Sequence, residues 1–354
     1  MKVHNFSAGP GILPKEVLQK ASEACIEFNQ SGLSLLEVSH RGKDVIAVFD
    51  KAVYLVKKLL NIGDDYAIVF LQGGASLQFS MVPANFLNGK AAYLNTGVWA
   101  SKAIKEAKLY GATEVVASSE DRNFSYIPKE YSIPSDADYF HITSNNTIYG
   151  TQMRTFPTCS IPLFCDMSSD IFSHRFDATK FDLIYAGVQK NMGPAGATMV
   201  ILKKELLQKV KRTLPSMMQY AIHVEGESMY NTPPVFAVYV SMLTLDWLDR
   251  NGGVEWAEKR NKAKAELFYS ELDRNSQFTG TVDIEDRSWM NANFVLTNPT
   301  QEEAFKVLLK EANISGLNGH RSVGGFRASM YNAMDIDSVQ ALVDVMKAFE
   351  QNNG

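Results

Sequence analysis

Cysteine is scarce in this chain. Cys25, Cys159 and Cys165 are the three among 354 residues, and no CxxC spacing occurs. So few, in odd number, exclude a disulfide framework and a thiolate metal site, and point to a reducing compartment. No run of 18 apolar residues is present, so no segment reads as a membrane helix. The start, MKVHNFSAGPGILPKE, has no apolar h-region and no cleavage-like site. No signal peptide is therefore expected, and a cytoplasmic location is. Positive charge is not in excess: 35 Lys and Arg stand against 39 Asp and Glu, for a net charge of −4. That leaves no footprint for nucleic acid or an anionic membrane. Any bound anion must be held by a local cluster of donors. Neither a GxGxxG nor a Walker sequence occurs, and no internal repeat or low-complexity tract stands out.

What is present is an ordinary globular composition, 45% hydrophobic, 11% aromatic and 21% charged. At about 150 residues per domain the length suggests about two domains. A helix is predicted from Pro14, with Val17, Leu18, Ala21, Ala24, Cys25 and Phe28 on one face and Gly32 as its stop. A second runs from about Asp44 to Leu60. Then YAIVFL (66–71) opens a series of short apolar runs, the mark of strands buried on both faces. The others are 91–94, 113–117, 139–143, 161–165, 182–186 and 198–202, several of them separated by helical or loop stretches. Such alternation predicts an α/β fold with a mostly parallel, seven-stranded sheet. From about 235 two helices follow, the first amphipathic and stopped by glycine, the second longer, near 253–274. Strands at 292–297 and 325–331 and helices at 301–314 and 337–351 complete the pattern. The expected organisation is a large domain over 15–255 and a smaller α+β domain formed by 1–14 and 256–354.

Four features carry chemistry. In DLIYAGVQKNMGPAGATMVIL (182–202) a strand ends at Ala186 and a polar hinge presents Gln189 and Lys190 among small residues. Burial there would lower the lysine pKa and make its amine nucleophilic, although loop lysines are mostly exposed. In PLFCDMSSD (162–170), Asp166 closes a buried strand, where open α/β sheets bind ligands. As a pair, an ionised aspartate under a pyridinium nitrogen and a lysine that forms a Schiff base are what pyridoxal phosphate chemistry requires. Alone, Asp166 reads equally as a turn or cap residue. In FLQGGASLQF (70–79) two glycines and a serine open a helix whose N–H groups suit a phosphate, or make only a tight turn. Trp99 opens another helix after a strand, either as core or as a stacking partner for a flat ring. Finally His-Arg occurs twice, at His40-Arg41 and His320-Arg321, with Arg327 following on a predicted strand. These are either surface ion pairs or grips for a substrate with more than one negative group.

Together these segments resemble the class V aminotransferases of the fold-type I pyridoxal phosphate enzymes. The blocks NFSAGP (5–10), EVSHRGK (37–43), FLQGGASLQF (70–79) and NTGVWASKA (95–103) carry the likeness. So do SNNTIYGTQ (144–152), CDMSSD (165–170), YAGVQKNMGPAG (185–196), NTPPVF (231–236) and GLNGHRSVGGFRASMYNA (316–333). The resemblance implies pyridoxal 5'-phosphate as cofactor, with Lys190 covalently attached and shuttling protons, and Asp166 paired with the ring nitrogen. It implies that Trp99 stacks on the ring, Thr147 meets the ring hydroxyl side, and Ala75, Ser76 and Gln189 hold the phosphate. Asn231 and Thr232 would complete that phosphate site in the neighbouring subunit of a homodimer. Arg327 would take the substrate α-carboxylate, and His40, Arg41, His320 and Arg321 its phosphate or side-chain carboxylate. The implied substrates are L-glutamate and 3-phosphohydroxypyruvate in serine biosynthesis, by a ping-pong cycle. The phosphorylated hydroxy-oxobutanoate of pyridoxine biosynthesis is a further candidate. Some family members carry arginine where this chain has Ser76, so phosphate binding is divided differently here.

Two rival readings stay open on sequence. A cysteine desulfurase or lyase of the same fold needs a mobile, substrate-facing thiol, whereas all three cysteines read more simply as structural. A non-catalytic dinucleotide-binding α/β protein needs the fingerprint that is absent.

Overall fold

The computed structural model describes residues 2–321 and 323–353. The large sheet contains β2 (Tyr66–Leu71), β3 (Lys90–Asn95), β4 (Ala112–Ser118), β5 (Phe140–Thr143), β8 (Leu163–Asp166), β9 (Leu183–Gly187) and β10 (Thr198–Lys203). Their order is β2-β10-β9-β8-β5-β3-β4. β10 alone runs antiparallel to its neighbours, Thr198 facing Leu71 on one side and Gly187 on the other. The expected mostly parallel seven-stranded sheet is therefore present. The inner strands β5, β8 and β9 are buried at every position because both faces are covered, as parallel sheets require. Ile68, Phe70, Ile142, Cys165 and Ile184 join a core with α1 (Lys15–Ile26), α2 (Lys43–Leu60) and α6 (Val235–Arg250). Val69, Tyr93, Phe164 and Tyr185 point the other way, into a core with α3 (Gly74–Phe86), α4 (Val98–Ala107) and α5 (Tyr220–Glu225).

A third core surrounds the antiparallel sheet β11 (Phe278–Gly280), β12 (Asn291–Leu296) and β14 (Phe326–Ser329). Packed on it are α7 (Gly253–Arg274), α8 (Glu302–Glu311) and α9 (Ile336–Asn353), through Phe268, Phe305 and Phe349 among others. The N-terminus joins this part: β1 (His4–Asn5) pairs with β13 (Ile314–Ser315), and Phe6 is fully buried in the same core. A small hairpin of β6 (Asn145–Asn146) and β7 (Thr151–Gln152) lies between β5 and β8 in the chain.

Three local expectations are corrected. The first helix stops at Ile26, not at Gly32: Glu27 is already extended (φ −149°, ψ 126°), and Asn29 and Gln30 then turn the chain with positive φ (52° and 56°). Pro14 is its N-cap, and Leu18 is 49% exposed, off the buried face. The run 113–117 is not buried on both sides: β4 is an edge strand paired only to β3, and Val115 is exposed. Helix α6 is not a one-sided amphipathic element. Residues 240–245 are all buried, so it is wrapped on most of its circumference.

Candidate active site

Ligands of open α/β sheets sit beyond the carboxyl ends of the strands, and here those ends converge. β5 ends at Thr143 in register with Asp166, the last residue of β8. β9 ends at Gly187 and delivers Gln189 and Lys190 two and three residues later. β2 and β3 lead into the N-termini of α3 and α4, which bring Ala75 with Ser76 and Trp99. All of these line one cavity of about 130 Å³, together with Asn145, Ser168, Ser169 and Phe79. Larger grooves exist near Lys58 (about 400 Å³) and Arg154 (about 630 Å³). Their cations are already engaged by the protein, Lys58 with Asp249 at 2.7 Å and Arg175 with Glu258 at 2.6 Å in the first, and in the second Lys129 with Glu285 and Asp286 and Arg154 with the Arg287 and Glu285 carbonyls.

Lys190 Nζ donates to Thr147 Oγ1 at 2.7 Å. Desolvation of the ammonium lowers its pKa to about 8, with Arg327 pushing the same way and Asp166 and Asp170 opposing. Asp166 is buried and accepts a hydrogen bond from the Ser168 N–H at 2.9 Å. Burial raises its pKa, while the Ser168 bond and the nearby Lys190 charge pull it back. The Lys190 backbone is fixed from both sides. The Gly11 N–H bonds the Gln189 carbonyl at 2.7 Å, and the Asn332 N–H bonds Asn191 Oδ1 at 3.0 Å.

The donor set fits pyridoxal phosphate. The side chains Thr143 Oγ1 and Trp99 Nε1 are buried without a protein partner, in a cavity that both residues line. Helix α3 has no acidic residue in its first turn and no side-chain cap, so its N-terminal N–H groups are available to a phosphate. Gly73 (φ 92°) and Gly74 (φ 68°) turn the chain into it, and a Cβ on Gly73 would lie 2.5 Å from Leu77. A flat ring held in this cavity would have Trp99, Asp166 and Lys190 among its lining residues.

Arg327 lies at the edge of this group: its guanidinium donates to the Thr147 carbonyl at 3.3 Å, and its Nε is buried and unpartnered. His320 is held below its ordinary pKa by burial and then by the charges of Arg327, Arg321 and Lys102, so the imidazole and these three cations share one neighbourhood. His40 and Arg41, by contrast, do not line the cavity of their own chain. Arg41 is exposed ahead of α2, and His40 Nε2 is buried without a partner. Asn231 and Thr232 are also outside it. Both bond Gln72, at 3.2 and 3.3 Å, and Asn231 lines a separate cavity of about 240 Å³. Thr143, Asn145, Ser168 and Ser169 were not singled out by sequence, although register opposite Asp166 could have found Thr143. Cys165 is fully buried, on the face of β8 opposite Asp166, and burial drives its thiol pKa well up. Cys25 and Cys159 do not line the cavity either, so among the described residues no thiol faces it.

A buried strand-end aspartate, a desolvated lysine and an anion-ready helix end around a slot for a planar ring define a fold-type I pyridoxal phosphate enzyme. More particularly, the chain belongs to the class-V aminotransferase family: the family described as "Aminotransferase class-V" matches residues 3–342. It is 62% identical over 353 residues to the phosphoserine aminotransferase of Flavobacterium johnsoniae, covering 99% of each chain. Among solved structures, the pyridoxal phosphate-bound phosphoserine aminotransferase of Trichomonas vaginalis superposes with a TM-score of 0.93 at 37% identity, covering 98% of this chain and 100% of that one. A phosphoserine aminotransferase studied for radiation damage of its Schiff base superposes with a TM-score of 0.96 at 46% identity, covering 99% and 100%.

Proposed function

We propose that this aminotransferase moves the amino group of L-glutamate to 3-phosphohydroxypyruvate, yielding 2-oxoglutarate and O-phospho-L-serine in two half-reactions at one site. The observation that carries the reading is the meeting of Lys190 and Asp166 in one cavity, with Arg327 bonded to the carbonyl of the same Thr147 that holds the Lys190 amine and with His320 and Arg321 in its charge neighbourhood. When bound, the cofactor supplies an electron-accepting ring for the pair released as the substrate Cα–H bond breaks. Asp166, ionised, keeps the positive charge on the ring nitrogen. The Lys190 amine, freed when substrate is bound, would take the α-proton and hold it for return on the far side of the amino nitrogen. Thr147 Oγ1 holds that amine in place. Arg327 takes the α-carboxylate in a two-pronged bond, which satisfies its free Nε. His320 and Arg321 take the phosphate of one substrate and the side-chain carboxylate of the other. Because the two acids use the same grips in turn, the kinetics are ping-pong.

We also read the active form as a homodimer, in which His40, Arg41, Asn231 and Thr232 serve the neighbouring chain's cavity, and the division of the chain as 15–255 against 1–14 with 256–354. The packing of Phe6 with the C-terminal core supports that division. The function is tested with purified protein, comparing kcat/KM for 3-phosphohydroxypyruvate, for unphosphorylated hydroxypyruvate and for the phosphorylated hydroxy-oxobutanoate. The phosphorylated acids are expected to be preferred by tenfold or more, about the worth of one charge-assisted contact. Equal values for the first two would overturn the phosphate assignment. Full turnover by Lys190→Ala would overturn the mechanism.

A further inference from the structure

Asp170 is a second carboxylate beside the site, one turn along from Asp166, and no step above uses it. It is buried, at 2% exposure. One of its oxygens contacts Ser144 Oγ, and the other accepts from Gln152 Nε2 at 3.3 Å. The Gln152 orientation is fixed, since its Oε1 accepts from the Trp289 N–H at 2.9 Å. Ser144 Oγ has a second neighbour, the Asp166 carbonyl, at 3.1 Å. Both neighbours of this hydroxyl are acceptors if Asp170 is ionised, yet a hydroxyl has one hydrogen. The two contacts are satisfied together only if the hydrogen between Ser144 and Asp170 belongs to Asp170. Ser144 then donates to the Asp166 carbonyl, and a chain of bonds runs from Asp170 to the strand end that carries Asp166.

We propose that Asp170 is a neutral carboxylic acid that positions the end of β8 through Ser144 and leaves Asp166 as the sole anion facing Lys190. The proposal rests on the reading of Asp166 and Lys190 given above. Charge supports it independently. One lysine faces two buried carboxylates, and like charges at such separation do not both ionise readily. The groups whose charges bear on Asp170 are Asp166 and Lys190, while Cys165 and Tyr331 feel it in turn. Burial and Asp166 push its pKa up to about 7, even with the Ser144 bond taken as donated to the charged form. Assigned the other way round, that bond favours the neutral acid and raises the value further.

The test uses the holoenzyme in wild-type, Asp170→Asn and Asp170→Ala forms. Asparagine keeps the geometry, its NH2 donating to Ser144 and its oxygen accepting from Gln152. With 13C-aspartate labelling, the infrared difference between wild type and Asp170→Asn should show loss of one protonated-carboxyl band near neutral pH. The pH midpoint of the visible absorbance of the Lys190-linked cofactor should stay where it is in Asp170→Asn. Loss of an ionised-carboxylate band instead, with that midpoint lowered by about one unit as expected for removal of a nearby anion, overturns the neutral assignment. Asp170→Ala breaks the chain to Asp166 and should release cofactor faster, by about tenfold, with Asp170→Asn restoring wild-type retention. Cofactor retention in Asp170→Ala equal to wild type overturns the positioning role. If wild-type protein, trapped with borohydride, carries its cofactor at a residue other than Lys190, it is the underlying site reading that has failed.

Discussion

Lys190 offers the most direct check on the site, because its ionisation is set by groups that can be changed one at a time. Its pKa is lowered to about 8, first by loss of water around the ammonium and then by Arg327, against the charge of Asp166. An exposed lysine at about 10.4 has roughly one neutral amine in 3,000 at pH 7, whereas one at about 8 has about one in ten. The difference is about 300-fold in nucleophile, or about 3 kcal/mol. Mixing cofactor-free protein with pyridoxal phosphate in a stopped-flow spectrometer gives the rate of covalent attachment at each pH. The rate should rise with pH and level off through a midpoint near 8. Arg327→Gln removes a positive charge that disfavours the ammonium, so its midpoint should move up. Asp166→Asn removes a negative charge that favours it, so its midpoint should move down. Each shift should be about one unit. A wild-type midpoint near 10, or variants that move in the same direction, would refute the electrostatic account of the cavity.

Trp99→Ala should loosen the cofactor by about tenfold, the worth of one aromatic stack, and Trp99→Phe should recover most of it, read by cofactor release. Gly11→Ala places a methyl 2.8 Å from the Tyr331 ring and 3.0 Å from the Lys190 carbonyl. Overpacking there should cost about 1–3 kcal/mol in urea unfolding and lower kcat. His141 is fully buried, bonds Tyr185 at 2.9 Å, and has its pKa pushed to about 3 by desolvation. The unfolded chain takes up this proton below about pH 6.5 and the folded one does not, so stability falls with pH across that window, by about 3 kcal/mol at pH 4.5. His141→Phe should flatten the acid limb, and a limb as steep as wild type would refute the assignment.

The fold and the shared cavity of Asp166 and Lys190 were legible for the same reason. Strands buried on both faces are written as short apolar runs, and their last residues mark where ligands bind, which singles out Asp166 and the hinge at Lys190. The misreadings share a cause as well. The Val115-Val116 pair in β4 is as apolar as a core strand, and only sheet order shows that it lies at an edge. Phe28 is buried as a helix-face residue would be, yet it arrives there from an extended segment beyond the end of α1. Thr143, Asn145 and Ser168 went unremarked because small polar residues carry no periodic signal. It is pairing that sets Thr143 opposite Asp166. His40, Arg41, Asn231 and Thr232 do not line the Lys190 cavity of their own chain, and no local sequence pattern distinguishes loops that reach it from loops that do not.

The site is held together by amides and hydroxyls more than by ion pairs, and that choice has a reason. Asn145 bonds Ser169, Asn291 and Ser288 at 2.6–2.7 Å, tying the strand ends of the large sheet to β12. Asn332 receives Asn261 at 2.7 Å and donates to the Phe172 carbonyl at 2.9 Å, linking α7 to the loop after Asp170. Lys264, buried on the same helix, donates to the Met330 and Tyr331 carbonyls, just past the strand that bears Arg327. A network of uncharged hydrogen-bonding groups fixes geometry in a low-dielectric interior without adding a charge. Salt bridges in the same places would add charges whose fields reach Lys190 and Asp166, whose own ionisation the chemistry depends on. The fold thus places full charges where substrate and cofactor meet them and uses uncharged groups to aim them. On this argument an Asn145→Asp substitution, nearly unchanged in shape, should raise the pH midpoint for covalent attachment at Lys190. Asn145→Ala should weaken cofactor retention without moving that midpoint.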